Sequence, residues 1–218
     1  MDRWDAVIFD NDGVLVDSER LANDTLARLL TAHGWPVTPA ECVAEFLGGT
    51  IDSVRQSVEA RSGHRLPADF ERRYHKEIFD RFPTELRAVP DVTQVVDLAG
   101  DKGCVASSGS MERIRLALQI TGLRDRFGDR LFSAESVARG KPAPDLFLHA
   151  ARELGVVPRR AVVIEDSPFG VAAARAAGMT VFGYAALTPP ERLCAADATF
   201  TSMAELPGLL GLPTRGGR

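Results

Sequence analysis

Cysteine is scarce in this 218-residue chain, with Cys42, Cys104 and Cys194 the only three. An odd, widely spaced set supplies neither a disulfide framework nor a zinc site. Reduced, buried thiols of a cytosolic protein are the reading that is left. No apolar run reaches the ~18 residues needed to span a bilayer, so no membrane partner is expected. Residues Met1 to Phe9 lack the charged-then-apolar layout of a signal peptide, which makes a cytoplasmic location the expectation. A long basic run is also missing. Lys and Arg number 26 against 30 Asp and Glu, a formal charge of −4. No nucleic-acid footprint is visible, and an anionic ligand must be held by a local site. Internal repeats and low-complexity segments are absent. What is present is an ordinary globular balance, 45% hydrophobic and 26% charged, in a chain long enough for one core and a small second domain.

Short β-branched apolar runs recur along the chain: Ala6-Val-Ile-Phe9, Gly103-Cys-Val-Ala106, Leu131-Phe-Ser133, Ala161-Val-Val-Ile164 and Met179-Thr-Val-Phe182. Each reads as a buried strand. Helical patterns lie between them. Phe147, Ala150, Ala151 and Leu154 follow i, i+3, i+4, i+7 spacing, with Gly155 as a stop. Pro168 to Ala177 is opened by Ser167 as N-cap and closed by Gly178. Strand alternating with helix predicts an α/β fold, a Rossmann-like parallel sheet with helices on both faces.

Residues 18 to 82 break that rhythm. Ser18 heads a helix with an apolar face at Thr25, Leu26, Leu29 and Leu30, stopped by Gly34. Thr38-Pro-Ala-Glu41 has the form of a capping box. Further helices are expected from about Ile51 to Arg61 and from about Ala68 to Arg81. The prediction is a small all-helical domain, residues 17–83, inserted after the first strand of a core formed by 1–16 and 84–218.

Acidic residues stand at the ends of two predicted strands. Asp10-Asn-Asp12-Gly13 follows the first, and Gly13 allows a sharp turn. Functional groups gather at the carboxyl ends of parallel strands, although the tetrapeptide also fits a solvated Asx turn. Glu165-Asp166 follows the strand Ala161–Ile164, where helix capping is the plainer alternative. If the two strands are neighbours, four carboxylates crowd one edge, and like charges raise one another's pKa unless a cation intervenes. An oxygen-only cluster of this kind suits Mg²⁺. Two further segments lie between them. Ser107-Ser-Gly-Ser110 is a hydroxyl-rich turn leading into a helix, where backbone N–H groups favour an anion and where serine caps are also common. Lys141 is pinned between Gly140 and Pro142, and reads either as a solvated lysine or as a point charge for a phosphate.

Taken in order, these segments resemble the haloacid dehalogenase superfamily of hydrolases. The resemblance is carried by Val7-Ile-Phe-Asp-Asn-Asp-Gly-Val-Leu-Val-Asp-Ser-Glu19, Ala106-Ser-Ser-Gly-Ser110, Gly140-Lys-Pro-Ala-Pro-Asp145 and Val163-Ile-Glu-Asp-Ser-Pro-Phe-Gly170. The helical insert resembles the cap of the branch containing β-phosphoglucomutase and sugar-phosphate phosphatases. The resemblance implies a phosphatase acting on small phosphorylated metabolites, sugar or sugar-acid phosphates such as 6-phosphogluconate, with Mg²⁺ as cofactor and a monomeric state. Asp10 would be the nucleophile that forms an aspartyl-phosphate. Asp12 would be the general acid and base. Ser108, Gly109 and Lys141 would hold the phosphoryl oxygens. Asp10, Asp12, Glu165 and Asp166 would furnish the metal site, Asp12 through its carbonyl and Glu165 directly or through water. Glu19, Arg20, Asn23 and Thr50 are cap positions where substrate contacts are expected.

Asp12 argues against dehalogenation, which releases no alkoxide to protonate. A sugar phosphomutase is the enzymatic alternative. It would need a cap cation for a doubly phosphorylated intermediate, and Leu47-Gly-Gly-Thr-Ile51 carries none. A phosphate-binding or phosphoacceptor domain is the non-enzymatic alternative, separated from an enzyme by multiple turnovers.

Overall fold

The structure, a computed structural model, describes residues 3–46, 51–63 and 65–212. Leu47, Gly48, Gly49 and Thr50 lie outside them. The described chain divides into two compact units, Met1–Val16 with Arg87–Arg218, and Asp17–Leu86.

The first unit is built on six parallel strands: β1 (Ala6–Phe9), β2 (Gly103–Ser107), β3 (Leu131–Ser133), β4 (Ala161–Glu165), β5 (Thr180–Tyr184) and β6 (Ala198–Phe200). Their order is β3-β2-β1-β4-β5-β6. Strand β1 is central and every residue in it is buried, as expected for a strand covered on both faces. Ala6 and Ile8 point to one face. There they join Cys104, Ala106 and Val163 under Phe147, Ala150, Val171 and Ala174, from the helices Asp145–Glu153 and Pro168–Ala176. Phe9 points to the other face and meets Phe127 edge-on, ring centres 6.1 Å apart. The α/β, Rossmann-like reading is thus the observed fold.

The second unit contains four helices: α1 (Ser18–Ala32), α2 (Pro39–Phe46), α3 (Ile51–Ser62) and α4 (Phe70–Glu85). The expected apolar face of α1 is buried at Thr25, Leu26, Leu29 and Leu30. Its three leucines pack with Cys42, Phe46, Val54, Val58 and Phe70. The capping box at α2 forms: the Thr38 N–H donates to Glu41 Oε2 at 2.7 Å, and the Glu41 N–H donates to Thr38 Oγ1 at 3.2 Å.

Four local expectations are corrected. Asp17, not Ser18, occupies the N-cap position of α1, and Ser18 lies inside the helix. Cys194 is exposed, whereas Cys42 and Cys104 are buried. A sixth strand, β6, extends the sheet. The helix expected to end near Arg81 continues through Pro83 to Glu85, so the units divide at Leu86 and not at residue 83. A proline inside a helix forfeits one backbone bond. Here the last turn is held by Arg81, whose guanidinium donates to Glu85 Oε1 and Oε2 at 2.8 and 2.7 Å. The same group reaches Thr25 Oγ1 at 2.6 Å and Asp24 Oδ2 at 2.7 Å on α1. Arg81 therefore ties two helices by charge-assisted bonds from a side chain 20% exposed. Arg81→Met should lower stability by about 1–3 kcal/mol, read as a shift of the urea midpoint. An unchanged midpoint would show that these bonds only replace equivalent ones to water.

Candidate active site

Strand register brings the scattered segments together. Phe9 is paired with Val105 on β2 and with Ile164 on β4. The next residues, Asp10, Ala106 and Glu165, therefore reach the carboxyl edge side by side. The Asp10 N–H continues the ladder to the Ile164 carbonyl at 3.0 Å. Strand order reverses about β1, which is where parallel sheets open a crevice.

Lys141 enters this crevice from the segment between β3 and the helix Asp145–Glu153. Its Nζ donates to Asp10 Oδ1 at 2.6 Å, to Glu165 Oε1 at 2.5 Å and to the Ala106 carbonyl at 3.3 Å. Its side chain is 5% exposed, and buried charges persist only when paired and hydrogen-bonded. Burial opposes the lysine's charge, but the Asp10 and Glu165 carboxylates outweigh it and hold the ammonium above the ordinary lysine range. For Asp10 the balance goes the other way. Burial, with the charges of Glu165 and Asp12 added, overcomes the pull of Lys141 and pushes its carboxyl up to about 7.

Two glycines make room for the acids. Gly13 has φ +81°, and a Cβ there would lie 2.0 Å from Asp166 Oδ2. Only glycine satisfies both conditions. At Gly170 a Cβ would fall 1.8 Å from Glu165 Oε1. Glu165 is fixed further by Ser167, whose N–H and Oγ donate to Oε2 at 2.8 and 2.9 Å, while Ser167 Oγ caps its helix by accepting the Gly170 N–H at 3.0 Å. Ligand oxygens of Asp10, Glu165 and Asp166 lie within 4.8 Å of one another. An all-carboxylate donor set fits a hard cation such as Mg²⁺.

Asp12 is held on the β2 side. Its Oδ1 accepts from Arg113 Nη2 at 2.7 Å, and its Oδ2 from Asn11 Nδ2 at 3.2 Å and Ser107 Oγ at 3.5 Å. The predicted phosphate donors flank it. Ser108 is exposed at the turn. The Gly109 N–H donates to Ser107 Oγ at 3.0 Å, so a phosphoryl oxygen would have to compete with that hydroxyl. In the helical unit, Arg20 is exposed and donates to Asp17 Oδ2 at 2.8 Å. Asn23 is buried and donates to the Glu19 carbonyl at 2.7 Å. The fourth substrate candidate, Thr50, is beyond the described residues.

This disposition of four sequence segments can be compared with known proteins. The sequence model for haloacid dehalogenase-like hydrolases matches residues 4–178. The chain belongs to this family. The 6-phosphogluconate phosphatase of Escherichia coli (strain K12) is 29% identical over 211 residues, 96% of either chain. Hexitol phosphatase A of the same organism is 33% identical over 210 residues, 94% of either chain. A solved structure of a conserved haloacid dehalogenase-like protein from Agrobacterium tumefaciens str. C58 matches with a TM-score of 0.90 at 34% identity, covering 95% of this chain and 98% of that one.

Sequence reasoning overlooked Arg113 at this site, and it missed Ser107 as a partner of Asp12, Ser167 as the Glu165 clamp and Gly170 as the space for that carboxylate. Arg113 left one physical signal. With Ser110 as N-cap, it is the third helical residue, where a cation opposes the helix dipole unless an anion faces it.

Two expectations follow. Gly170→Ala would raise helix propensity by ~1 kcal/mol, yet it should lower both the melting temperature and phosphate release because it evicts the Glu165 carboxylate. A raised melting temperature with intact activity would show that the carboxylate is free to move aside. Asp10 must lose its proton before a cation binds. Mg²⁺ should therefore raise the melting temperature clearly at pH 8 and weakly at pH 5.5, with affinity falling about tenfold per pH unit below the Asp10 titration. Affinity independent of pH would remove Asp10 from the cation site.

Proposed function

We propose that this haloacid dehalogenase-like hydrolase is a Mg²⁺-dependent phosphatase of small phosphate monoesters, with sugar or sugar-acid phosphates as its substrate class. The observation that carries the reading is Lys141 bridging Asp10 and Glu165 at the carboxyl ends of β1 and β4, with Asp166 completing a cation-competent trio. The substrate class is supported by the relatives that are named phosphatases of 6-phosphogluconate and hexitols.

Each residue has a definable task. Lys141 bonds Oδ1 of Asp10 and leaves the second carboxylate oxygen for in-line attack on phosphorus. That oxygen forms the new P–O bond as the ester P–O bond breaks, and Asp12 gives its proton to the departing alkoxide. In the second half, water attacks the aspartyl-phosphate. Asp12 takes the water's proton, the P–O bond to Asp10 breaks, and inorganic phosphate leaves. Splitting one displacement into two is the gain from covalent catalysis. The Ser108 hydroxyl, the Gly109 N–H and Lys141 stabilise the equatorial oxygens, where charge accumulates in phosphoryl transfer. Asp10, Asp166 and the Asp12 carbonyl would hold Mg²⁺, with Glu165 supporting them through Lys141 and Ser167. Bound there, the ion supplies the positive charge that keeps Asp10 ionised and attracts the phosphate. The inserted helical unit is assigned the role of a cap that selects substrate.

The test is phosphate release from p-nitrophenyl phosphate and a panel of sugar and sugar-acid phosphates, with Mg²⁺ or EDTA, beside Asp10→Asn. Multiple turnovers dependent on Mg²⁺, reduced at least ~10³-fold in the variant, are expected. A single turnover, or none, would refute a phosphatase.

A further inference from the structure

We infer that Arg113 is a positioning residue for Asp12: it holds the Asp12 carboxylate on the β2 side of the site, where the leaving oxygen must receive its proton. The inference rests on the phosphatase reading and deepens it.

Three observations support it. First, the two aspartates are held by different cations. Lys141 binds Asp10 and Glu165, whereas Arg113 Nη2 binds Asp12 Oδ1 at 2.7 Å. Second, the ion pair is directional. Ser107 Oγ, at the end of β2, approaches the other oxygen of Asp12 at 3.5 Å, so the two carboxylate oxygens are engaged from β2 and from the helix Met111–Ile120. A carboxylate held at both oxygens has little rotational freedom about its Cβ–Cγ bond. Third, Arg113 occupies an unfavourable place unless Asp12 faces it. It stands in the first turn of that helix, capped by Ser110, where the dipole disfavours a cation. Gly109 fits the same arrangement. A Cβ there would lie 3.5 Å from Arg113 Cδ and 3.8 Å from Asp12 Oδ2, so the turn packs on the pair without displacing it.

Without Arg113, Asp12 would keep only its weaker contacts with Asn11 and Ser107 and would be drawn towards the ammonium of Lys141. It would then no longer be aimed at the leaving group. The consequence depends on that group. An alkoxide cannot depart without a proton, whereas p-nitrophenolate can, so in the first half-reaction only the alkyl ester depends on where Asp12 points; hydrolysis of the aspartyl-phosphate is common to both esters, and kcat/KM, which stops at the first irreversible step, leaves it out.

The experiment compares kcat and KM of wild type, Arg113→Ala and Arg113→Lys on the best sugar phosphate and on p-nitrophenyl phosphate. It repeats Arg113→Ala in an Asp12→Asn background, with melting temperatures as a check on folding. Wild-type turnover of both esters tests the phosphatase reading separately. Arg113→Ala should lower kcat/KM for the sugar phosphate ~10–100-fold and change kcat/KM for p-nitrophenyl phosphate less than ~3-fold. Arg113→Lys should restore part of the loss. In the Asp12→Asn background the second substitution should add less than ~2-fold, because two residues that act as one unit are not additive. Equal losses of kcat/KM on both esters, or full additivity with Asp12→Asn, would overturn the inference. Those results would make Arg113 a phosphate ligand or a purely structural residue.

Discussion

Lys141 holds two carboxylates that the sheet sets side by side and that their like charge would otherwise force apart. Adjacent parallel strands lie ~4.8 Å apart, and matched register brings Asp10 and Glu165 to the same level at the ends of β1 and β4. Two buried anions at that spacing are costly without a cation between them. The ammonium, itself buried, bonds both and the Ala106 carbonyl on β2. Much of the surrounding structure serves this contact. Ser167 anchors the far oxygen of Glu165, Gly170 leaves space for its carboxylate, and Gly13 does the same for Asp166.

The triad also places two aspartates in unlike surroundings. Asp10 is buried, and its carboxyl is pushed up to about 7. Asp12, two residues on, is partly exposed and held by Arg113, Asn11 and Ser107. Attack needs Asp10 ionised and Asp12 protonated, so a cation at Asp10 would have to reverse this difference. The turn between β1 and α1 produces it by directing Asp10 to the β4 side and Asp12 to the β2 side.

The inserted helical unit follows simpler physics. Leucines at helical spacing on α1 meet the apolar side chains of α2, α3 and α4, and Arg81 closes the α1–α4 contact with charged bonds. The unit's core was legible from periodicity because burial of one helix face is a local pattern. Its exit was not. Proline normally ends a helix, and although Arg81 holds Glu85 locally, its bonds to Thr25 and Asp24 join residues more than fifty positions apart.

The distinction is general in this chain. Five of the six strands, the insertion of helices after β1 and the segments bearing Asp10, Asp12, Lys141, Glu165 and Asp166 could be read from the sequence, because hydrophobic period, caps and strand-end acids are local signals. Strand β6 was missed, being three residues long, only one of them buried. Arg113 and Ser107 were missed as partners of Asp12, and Gly170 as the space for Glu165. Sequence alone determined which residue types stood at each strand end. Tertiary structure alone decided which cation met which carboxylate. Pairing across about 100 residues for Arg113 and 131 for Lys141 depends on strand order and register, and no local pattern encodes either.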